Sequence, residues 1–291
     1  MDKKVCIITG ANAGIGKQAA IQMAEEGYQV IIGCRNKERG ESALKEIKEV
    51  SKSDAVELIQ LDLSLKSSTK SFADEVMNRY ERIDVLIHNA AIFDIAQKKA
   101  MYSEEGFETV WMINHINPIY LTYLLLGHIK AAEQGRILTI ASQGLLAKPL
   151  LKVDLKDPEY REKKFNMTNA YYQSKRAQVM FTYYLANQLR DTKVTVNSIR
   201  VTAVQIDISR HPDISAFMKW AYKQKSKKSI TPQQRAKTYS YLATSNEVSQ
   251  ITGKYYNEKN VQVNSNKYSL DEKNIKAVMD LSISYIDKGV E

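Results

Sequence analysis

The sequence predicts a single α/β domain built on a doubly wound parallel sheet with helices on both faces. Short apolar runs alternate with amphipathic helical patterns through the first two thirds of the chain, which is typical of βαβ units. A glycine-rich turn joins the first apolar run to the first helical pattern. Because crossovers between parallel strands are right-handed, successive helices are expected to cover both faces of the sheet.

The order of elements follows from these patterns. The predicted strands are Val5–Thr9, Val30–Gly33, Val56–Leu61, Ile83–His88, Arg136–Ala141 and Val194–Ile199. The predicted helices are Gly16–Glu26, Lys37–Val50, Ser67–Tyr80, Glu104–Lys130 and Asn169–Leu189. Two segments lack a clear period: we interpret approximately 146–168 as an insertion and 202–230 as a substrate lid. No linker or repeat interrupts the chain, so residues 1–291 are taken as one domain.

The composition, with 44% hydrophobic and 26% charged residues and a net charge of +9, is typical of a globular protein. No apolar run approaches the roughly 20 residues that span a bilayer, and Val5–Thr9 is too short for a signal peptide. We therefore expect a cytoplasmic protein without a transmembrane segment. Two cysteines are too few for a disulfide framework, and the four histidines lack metal-ligand spacing. No nucleic-acid-binding motif accompanies the positive charge.

The turn after the first strand is a candidate phosphate site. Glycines allow the backbone to turn sharply and to approach a ligand closely. The helix that follows offers free N–H groups and the positive end of its dipole to a phosphate. A ligand-free structural turn is the alternative, but the strand–turn–helix context favours a dinucleotide. The residues expected to contact it are Gly10, Asn12, Gly14, Ile15 and Gly16.

The second strand ends in Gly33-Cys34-Arg35, without the acidic residue that usually holds the ribose of NAD. Arg35 could instead pair with the 2′-phosphate of NADP(H), and Lys17 belongs to the same turn. The alternative is that Arg35 only caps a loop.

The segments after the third and fourth strands supply further candidate cofactor contacts. Asp62, beside Leu63, is expected to contact adenine. The small side chains of Asn89-Ala90-Ala91 would let a cofactor lie across the strand ends.

A tyrosine four residues before a lysine places both side chains on one face of a helix. A nearby ammonium lowers the pKa of the phenol, and such a tyrosine can exchange a proton with a carbonyl or an alcohol. The chain contains this spacing three times: Tyr160/Lys164, Tyr171/Lys175 and Tyr255/Lys259. Only the second pair starts a long amphipathic helix, so we assign the role to it. Tyr172, with Arg176 as its partner, is the nearest competitor.

Two polar residues complete the candidate site. Ser142, at the end of the fifth strand, can hydrogen-bond a substrate oxygen, although a strand-end cap is the alternative. Asn114 lies within an apolar helical pattern, where a buried amide requires partners.

Together these motifs resemble the short-chain dehydrogenase/reductase family. The finer similarity is to its retinol dehydrogenase-like branch, which includes the WW-domain-containing oxidoreductase. The similar segments are Gly33–Gly40, Phe107–Thr122, Tyr171–Phe181, Thr231–Gln234 and Gly253–Tyr256. The resemblance implies a Rossmann-like fold and hydride transfer between a nicotinamide and a carbonyl/alcohol pair. It also implies a hydrophobic small-molecule substrate and a homodimer or homotetramer.

The resemblance implies a role for each catalytic candidate. Tyr171 would be the general acid/base, and Lys175 would lower its pKa and hold the nicotinamide ribose. Ser142 would orient the substrate oxygen, and Asn114 would support a proton relay.

The chain departs from the family pattern after the sixth strand. A Pro-Gly pair followed by a threonine is usual there, whereas Ile206 stands where the threonine would contact the nicotinamide. Backbone groups near Val204 would have to hold that ring instead. The alternative function is therefore an NADP(H)-binding regulatory protein with little turnover. We expect Phe217, Met218, Trp220 and Tyr222 to form part of the substrate lid.

Overall fold

The computed structural model of the protein describes residues 3–202 and 229–288. Its strands are β1 Val5–Thr9, β2 Gln29–Cys34, β3 Val56–Gln60, β4 Val85–His88, β5 Arg136–Ser142, β6 Thr195–Val201 and β7 Lys254–Tyr256. They form one parallel sheet in the order β3-β2-β1-β4-β5-β6-β7. The predicted doubly wound α/β fold is confirmed.

The helices of the described chain are α1 Gly14–Glu25, α2 Lys37–Ser51, α3 Lys66–Arg79, α4 Thr109–Trp111, α5 Asn117–Ala131, α6 Met167–Gln188, α7 Pro232–Thr244, α8 Lys267–Leu270 and α9 Glu272–Asp287. A π-helical turn, Met112–Ile116, joins α4 to α5. Short 3₁₀ turns follow β5 and α7, at Gln143–Ala147 and Asn246–Val248. No described helix is both long enough and apolar enough to cross a membrane.

The sheet is buried on both faces, which explains the continuous apolar runs of its strands. Alternate side chains point to opposite faces, so Ile8 and Ile32 pack towards α1, α2 and α7. Ile7 and Ile31 pack towards α3, α5 and α6. The carboxyl ends of all seven strands therefore meet at one edge between two helical layers.

The strands β1 and β4 approach each other closely at this edge. Gly10 has a φ of +66°, and a Cβ atom there would lie 2.8 Å from the Cα of Ala90. A Cβ atom at Gly16 would lie 2.3 Å from the side-chain amide nitrogen of Asn89. Gly10 is thus required for both its backbone conformation and its packing, whereas Gly16 is required for its packing alone.

The long helix begins later than the predicted Glu104. Glu108 lies just before the first helical residue, and its carboxylate accepts hydrogen bonds from the backbone N–H groups of Val110 and Trp111, at 3.0 and 2.8 Å. This N-terminal cap fixes the start of α4 at Thr109. The predicted single helix is also interrupted by the π-helical turn, a feature that is frequent at functional sites.

The segment 148–166 contains neither helix nor strand. It is held to α6 by specific hydrogen bonds: Arg176 donates to the carbonyl of Lys148 at 2.7 Å, and Gln173 donates to that of Pro158 at 2.8 Å. The lack of a helical or strand period in the sequence therefore corresponds to irregular structure in this segment.

The remaining elements follow the segment that was predicted to be a lid. Most of 202–230 lies outside the described residues, together with Val204, Ile206 and the four apolar lid candidates. After it, a capping box between Thr231 and Gln234 starts α7. The strand-like run at Lys254 pairs in parallel with β6 as the edge strand β7.

The close approach at Gly16 leads to a stability test. Gly16→Ala should lower the free energy of unfolding, because the new methyl group must displace the Asn89 amide. Gly127→Ala is the matched control, because Gly127 lies exposed within α5 with nothing within 4 Å of a new Cβ. The control should raise the unfolding free energy by up to about 1 kcal/mol. Urea denaturation measures both, and equal effects of the same sign would contradict the packing argument.

Candidate active site

A cleft of about 370 Å³ opens at the carboxyl edge, above β1, β2 and β4. Ligands of open α/β sheets bind at such an edge, where the strand order reverses. The cleft is lined by Gly10, Asn12, Ala13, Gly33, Cys34, Arg35, Asn36, Arg39, Leu61, Asp62, Leu63, Asn89, Ala90, Ala91, Ile92 and Ile113. Eight of these were cofactor candidates from the sequence, namely Gly10, Asn12, Arg35, Asp62, Leu63, Asn89, Ala90 and Ala91.

The floor of the cleft is held together by the segment after β4. The side-chain amide of Asn89 donates to the carbonyls of Thr9 and Gly10, at 2.9 and 3.2 Å. The backbone N–H of Ala90 donates to the Thr9 hydroxyl at 3.0 Å. The two segments that would face a dinucleotide are thus fixed to each other in the protein alone.

The start of α1 has the properties of a phosphate site. Gly14 is exposed with a φ of +59°, and nothing lies within 4 Å of the position that a Cβ atom would take. The backbone N–H groups of the first helical turn are therefore accessible to an anion. Ile15 instead packs against the core beneath, and Gly16 abuts Asn89, so these two candidates shape the turn rather than line the cleft.

Two exposed arginines line the end of the cleft next to β2. Arg35 follows β2 as predicted, and Arg39 from the first turn of α2 lines the same cleft. Lys17, the other predicted cation, is not there, because its amine is paired with Glu46 at 2.6 Å. Arg39 was missed by the sequence analysis, although its spacing of four residues from Arg35 was a usable signal.

Asp62 lines the same end of the cleft, but one of its carboxylate oxygens is engaged. This oxygen accepts hydrogen bonds from the backbone N–H and the hydroxyl of Ser64, at 2.8 and 2.6 Å. The carbonyl of Leu63 accepts from the Asn117 side chain at 2.8 Å. These bonds hold the loop after β3 against α5.

Asn114 lies fully buried in the π-helical turn. Its side-chain carbonyl accepts from the backbone N–H of Ile92 at 2.8 Å, and its amide donates to the Ile92 carbonyl and the Ser174 hydroxyl, both at 3.1 Å. The Ser174 hydroxyl in turn donates to the carbonyl of Tyr171 at 2.8 Å. Asn114 therefore connects the wall of the cleft to the helical turn that carries the tyrosine.

Tyr171 lies on the first turns of α6, and Ser142 lies at the end of β5, where its hydroxyl accepts a hydrogen bond from the backbone N–H of Gly144 at 3.2 Å. Burial raises the pKa of the Tyr171 phenol to about 12, and the Ser142 side chain opposes this shift. The ring centroid of Phe93 lies 4.5 Å from that of Tyr171, that of Tyr172 lies 5.2 Å from it, and Phe93 and Tyr172 are 6.4 Å apart, so the three rings form one cluster. The Tyr171 phenol is thus protonated at neutral pH and packed beside aromatic side chains.

The Lys175 amine is fully buried beneath the tyrosine. Its Nζ atom donates to the carbonyl of Ile140 at 2.7 Å and to the side chain of Gln178 at 3.2 Å, and lies 5.9 Å from the Tyr171 ring centroid. Burial lowers the pKa of Lys175 to about 7. The sequence argument that this ammonium lowers the pKa of Tyr171 does not describe the unliganded protein, because desolvation dominates both groups.

The competing tyrosines occupy different surroundings. Tyr160 lies in the irregular segment, and Tyr255 lies on the edge strand β7. Tyr172 packs so closely over Gly144 that a Cβ atom there would lie 2.0 Å from the phenol oxygen. Of these four tyrosines, Tyr171 combines a helix start with a buried lysine amine beneath its ring.

The chain is similar to known proteins along most of its length. The pattern of the family described as short chain dehydrogenase matches residues 4–150, and that described as Enoyl-(Acyl carrier protein) reductase matches residues 160–257. Retinol dehydrogenase 13 of Mus musculus is 35% identical over 87% of this chain and 75% of its own length. The chain belongs to the short-chain dehydrogenase/reductase family, in its retinol dehydrogenase-like group. Retinol dehydrogenase 14 of Homo sapiens is 34% identical over 89% of this chain and 79% of its own.

Solved structures of short-chain dehydrogenases share the fold. One from Salmonella enterica serovar Typhi has a TM-score of 0.66 and 21% identity, over 89% of this chain and 96% of its own. A chain from Escherichia coli CFT073, complexed with NADPH, also has a TM-score of 0.66 and 21% identity, over 89% and 98%. The family uses a nicotinamide cofactor, and the glycine turn and accessible helix start described above fit one.

The buried amine leads to a pH-dependent stability prediction. An unfolded lysine keeps its proton up to a pH of about 10.4, whereas Lys175 in the folded protein loses it near pH 7. Because the unfolded state binds more protons between these values, the folding stability gains with rising pH. The unfolding free energy of the wild type should therefore rise relative to that of Lys175→Met between pH of about 7 and 10.

The exposed Lys259 provides the control, since Lys259→Met removes a lysine of the same Tyr/Lys spacing from the surface. This variant should show no such trend in chemical denaturation. A constant difference between wild type and Lys175→Met across the pH range would mean that the Lys175 amine titrates normally.

Proposed function

We propose that this protein is an NADP(H)-dependent oxidoreductase that interconverts a carbonyl compound and an alcohol, with Tyr171 as general acid/base. The observation that supports the proposal is the grouping of Tyr171 with Lys175, whose amine lies 5.9 Å from the Tyr171 ring centroid, and with Ser142 at the carboxyl end of β5. Such a grouping would bring a proton donor and a second hydroxyl together, next to the cleft that suits a dinucleotide.

In the reducing direction the protein's part is to hold the carbonyl and to supply a proton. When bound, the nicotinamide supplies the hydride. The Ser142 hydroxyl orients the carbonyl oxygen, and the protonated phenol of Tyr171 donates to it as negative charge develops. The Lys175 amine, once protonated, stabilises the phenolate that remains. Alcohol oxidation would use the same groups in reverse.

Asn114 is proposed to act through its contacts rather than on the substrate. Both ends of its side-chain amide are engaged by Ile92 and Ser174, so the amide positions Tyr171 through the Ser174 hydroxyl. The proton relay implied by the family resemblance would have to use its backbone carbonyl.

The cofactor preference is proposed from charge. Arg35 and Arg39 offer two guanidinium groups at the end of β2, and this strand ends without the acidic residue that usually holds the ribose of NAD. Guanidinium groups form charge-assisted hydrogen bonds with phosphate, which favours the 2′-phosphate of NADP(H).

The substrate class is proposed from the exposed apolar side chains near the site. Phe93, Ile95, Leu146 and Leu150 are all more than a third exposed, and Leu150 is 90% exposed. They belong to the segments that follow β4 and β5, on either side of Tyr171. A hydrophobic carbonyl compound or alcohol fits such surroundings.

Tyr171→Phe tests the enzymatic function. It should reduce NADPH-dependent turnover of carbonyl compounds about 100-fold or more, because general acid/base catalysis contributes that much. NADPH binding, measured by fluorescence titration, should change little. Tyr172→Phe is the matched control and should keep turnover within a few-fold of the wild type. Tight NADPH binding without turnover of a broad panel of carbonyl compounds would favour the regulatory alternative suggested by Ile206.

Arg35→Met tests the cofactor preference. Loss of a charge-assisted hydrogen bond costs about 1.5–3 kcal/mol, so the Kd for NADPH should rise about 10- to 100-fold. The Kd for NADH should stay unchanged, and Arg39→Met should act in the same direction. Lys17→Met is the control, because its amine is paired with Glu46. Equal weakening of NADPH and NADH by Arg35→Met would contradict a 2′-phosphate contact.

A further inference from the structure

Three buried arginines of this chain differ in the hydrogen-bond partners of their guanidinium groups. Arg136, Arg176 and Arg235 are 6%, 2% and 1% exposed. Arg136 donates to the carbonyl of Leu242, and Arg176 donates to the carbonyl of Lys148 and the hydroxyl of Ser269. The Arg235 guanidinium differs from both, because none of its three nitrogens has a hydrogen-bond partner within the described ranges 3–202 and 229–288.

A buried charge without partners opposes folding. Removing a guanidinium from water costs several kcal/mol, and the loss is recovered only through hydrogen bonds and opposite charge. Folded proteins leave a buried charge unpaired chiefly at functional sites. The Arg235 side chain is therefore a candidate for a group that receives its partner from a bound ligand.

Arg235 is placed near the active site by its helix. It lies one turn before Tyr239 on α7, so the two side chains share a helix face. The Tyr239 hydroxyl reaches the side-chain oxygen of Asn89 at 3.4 Å, and the pKa of its phenol, which burial raises, responds to both Arg235 and Tyr171. The guanidinium thus lies on the helix face that approaches the Asn89 side of the cofactor cleft.

Among the residues that the structure describes, the charge around Arg235 is positive. Glu258, which follows β7, acts electrostatically on Arg235. The same carboxylate faces Arg200 near the end of β6, with 4.0 Å between Oε2 and Nη2. One carboxylate cannot neutralise two guanidinium groups, so these three described groups together carry a net positive charge.

We infer that Arg235 is the centre of a buried oxyanion site, which takes a carboxylate or phosphate group of a molecule bound in the active site. A planar guanidinium binds either group through paired hydrogen bonds. A cofactor phosphate and a substrate carboxylate share this chemistry. The inference rests on the proposed function only for the source of the anion, because the binding of an oxyanion can be tested without turnover.

The first experiment measures stability without a cofactor. Arg235→Met should raise the thermal midpoint in a buffer free of oxyanions, because it removes a buried and unpaired charge. Arg136→Met is the matched control and should lower the midpoint, because it leaves the Leu242 carbonyl without its donor. Inorganic pyrophosphate or acetate should stabilise the wild type more than Arg235→Met. A lower midpoint for Arg235→Met in oxyanion-free buffer would overturn the inference, because the guanidinium would then be paired with a group of the chain.

The second experiment identifies the source of the anion by binding. NADPH titration tests the cofactor phosphate: the Kd of Arg235→Met should rise at least about tenfold if the phosphate binds there. A substrate carboxylate is tested by adding either benzoate or benzamide to the NADP⁺-saturated protein. Benzoate should stabilise the wild type and benzamide should not, and this difference should be lost in Arg235→Met. Either result supports the site. Unchanged NADPH binding with equal responses to benzoate and benzamide would refute it.

The two experiments separate this inference from the proposed function. Turnover that persists while both binding tests fail would leave the oxidoreductase function intact and remove the oxyanion site. Oxyanion binding at Arg235 in a protein without turnover would support the oxyanion site and contradict the oxidoreductase function.

Discussion

The site depends on how closely β1 and β4 approach at their carboxyl ends. The peptide at Gly10 passes against Ala90, and the Asn89 amide closes the remaining gap by bonding to the carbonyls of Thr9 and Gly10. This contact is made by backbone and short side chains, so it leaves little freedom for adjustment. The glycine turn before α1 and the wall of the cleft after β4 both take their positions from it.

A line of hydrogen bonds extends this constraint to the catalytic residues. Ile92, two residues beyond Ala90, is held on both backbone groups by the Asn114 side chain. Asn114 also reaches Ser174, which bonds to the carbonyl of Tyr171. The π-helical turn brings this amide to a buried position between two elements that an uninterrupted helix would present differently. The cleft and the helical turn that carries Tyr171 are thereby joined by one line of hydrogen bonds.

The sequence predicted the fold and half of the residues that line the cleft because both depend on local patterns. Apolar runs located the strands to within a few residues, and the glycine spacing located the turn. Partners in space were not predictable in this way. Lys17 is adjacent to the turn in sequence but pairs with Glu46, and Arg39 takes its place in the cleft. The spacing of Tyr171 and Lys175 correctly placed both on one helix, whereas the opposing effect of burial on their pKa values required the tertiary structure.

The largest omission was the last third of the chain. Tyr239 and Arg235 lie on a helix whose capping box was visible in the sequence, but nothing in their spacing indicated a position beside the cleft. Their relation to the site comes from the packing of α7 on α1, where Gln22 bonds to the carbonyl of Gln233 and to the Ser240 hydroxyl. Such contacts join residues more than 200 positions apart, beyond the reach of any local pattern.

The bond between Tyr239 and Asn89 has a consequence for how the protein is made. It joins residues 150 positions apart, so its formation closes a long loop during folding. The glycine turn before α1 is synthesised early, whereas α7, the helix that packs beside it, is synthesised only after β6. The nascent chain therefore carries an exposed apolar face on α1 for the interval in between. During synthesis, the packing of α7 on α1 can therefore form only after α7 has left the ribosome, and until then the apolar face of α1 is open to contacts with other chains.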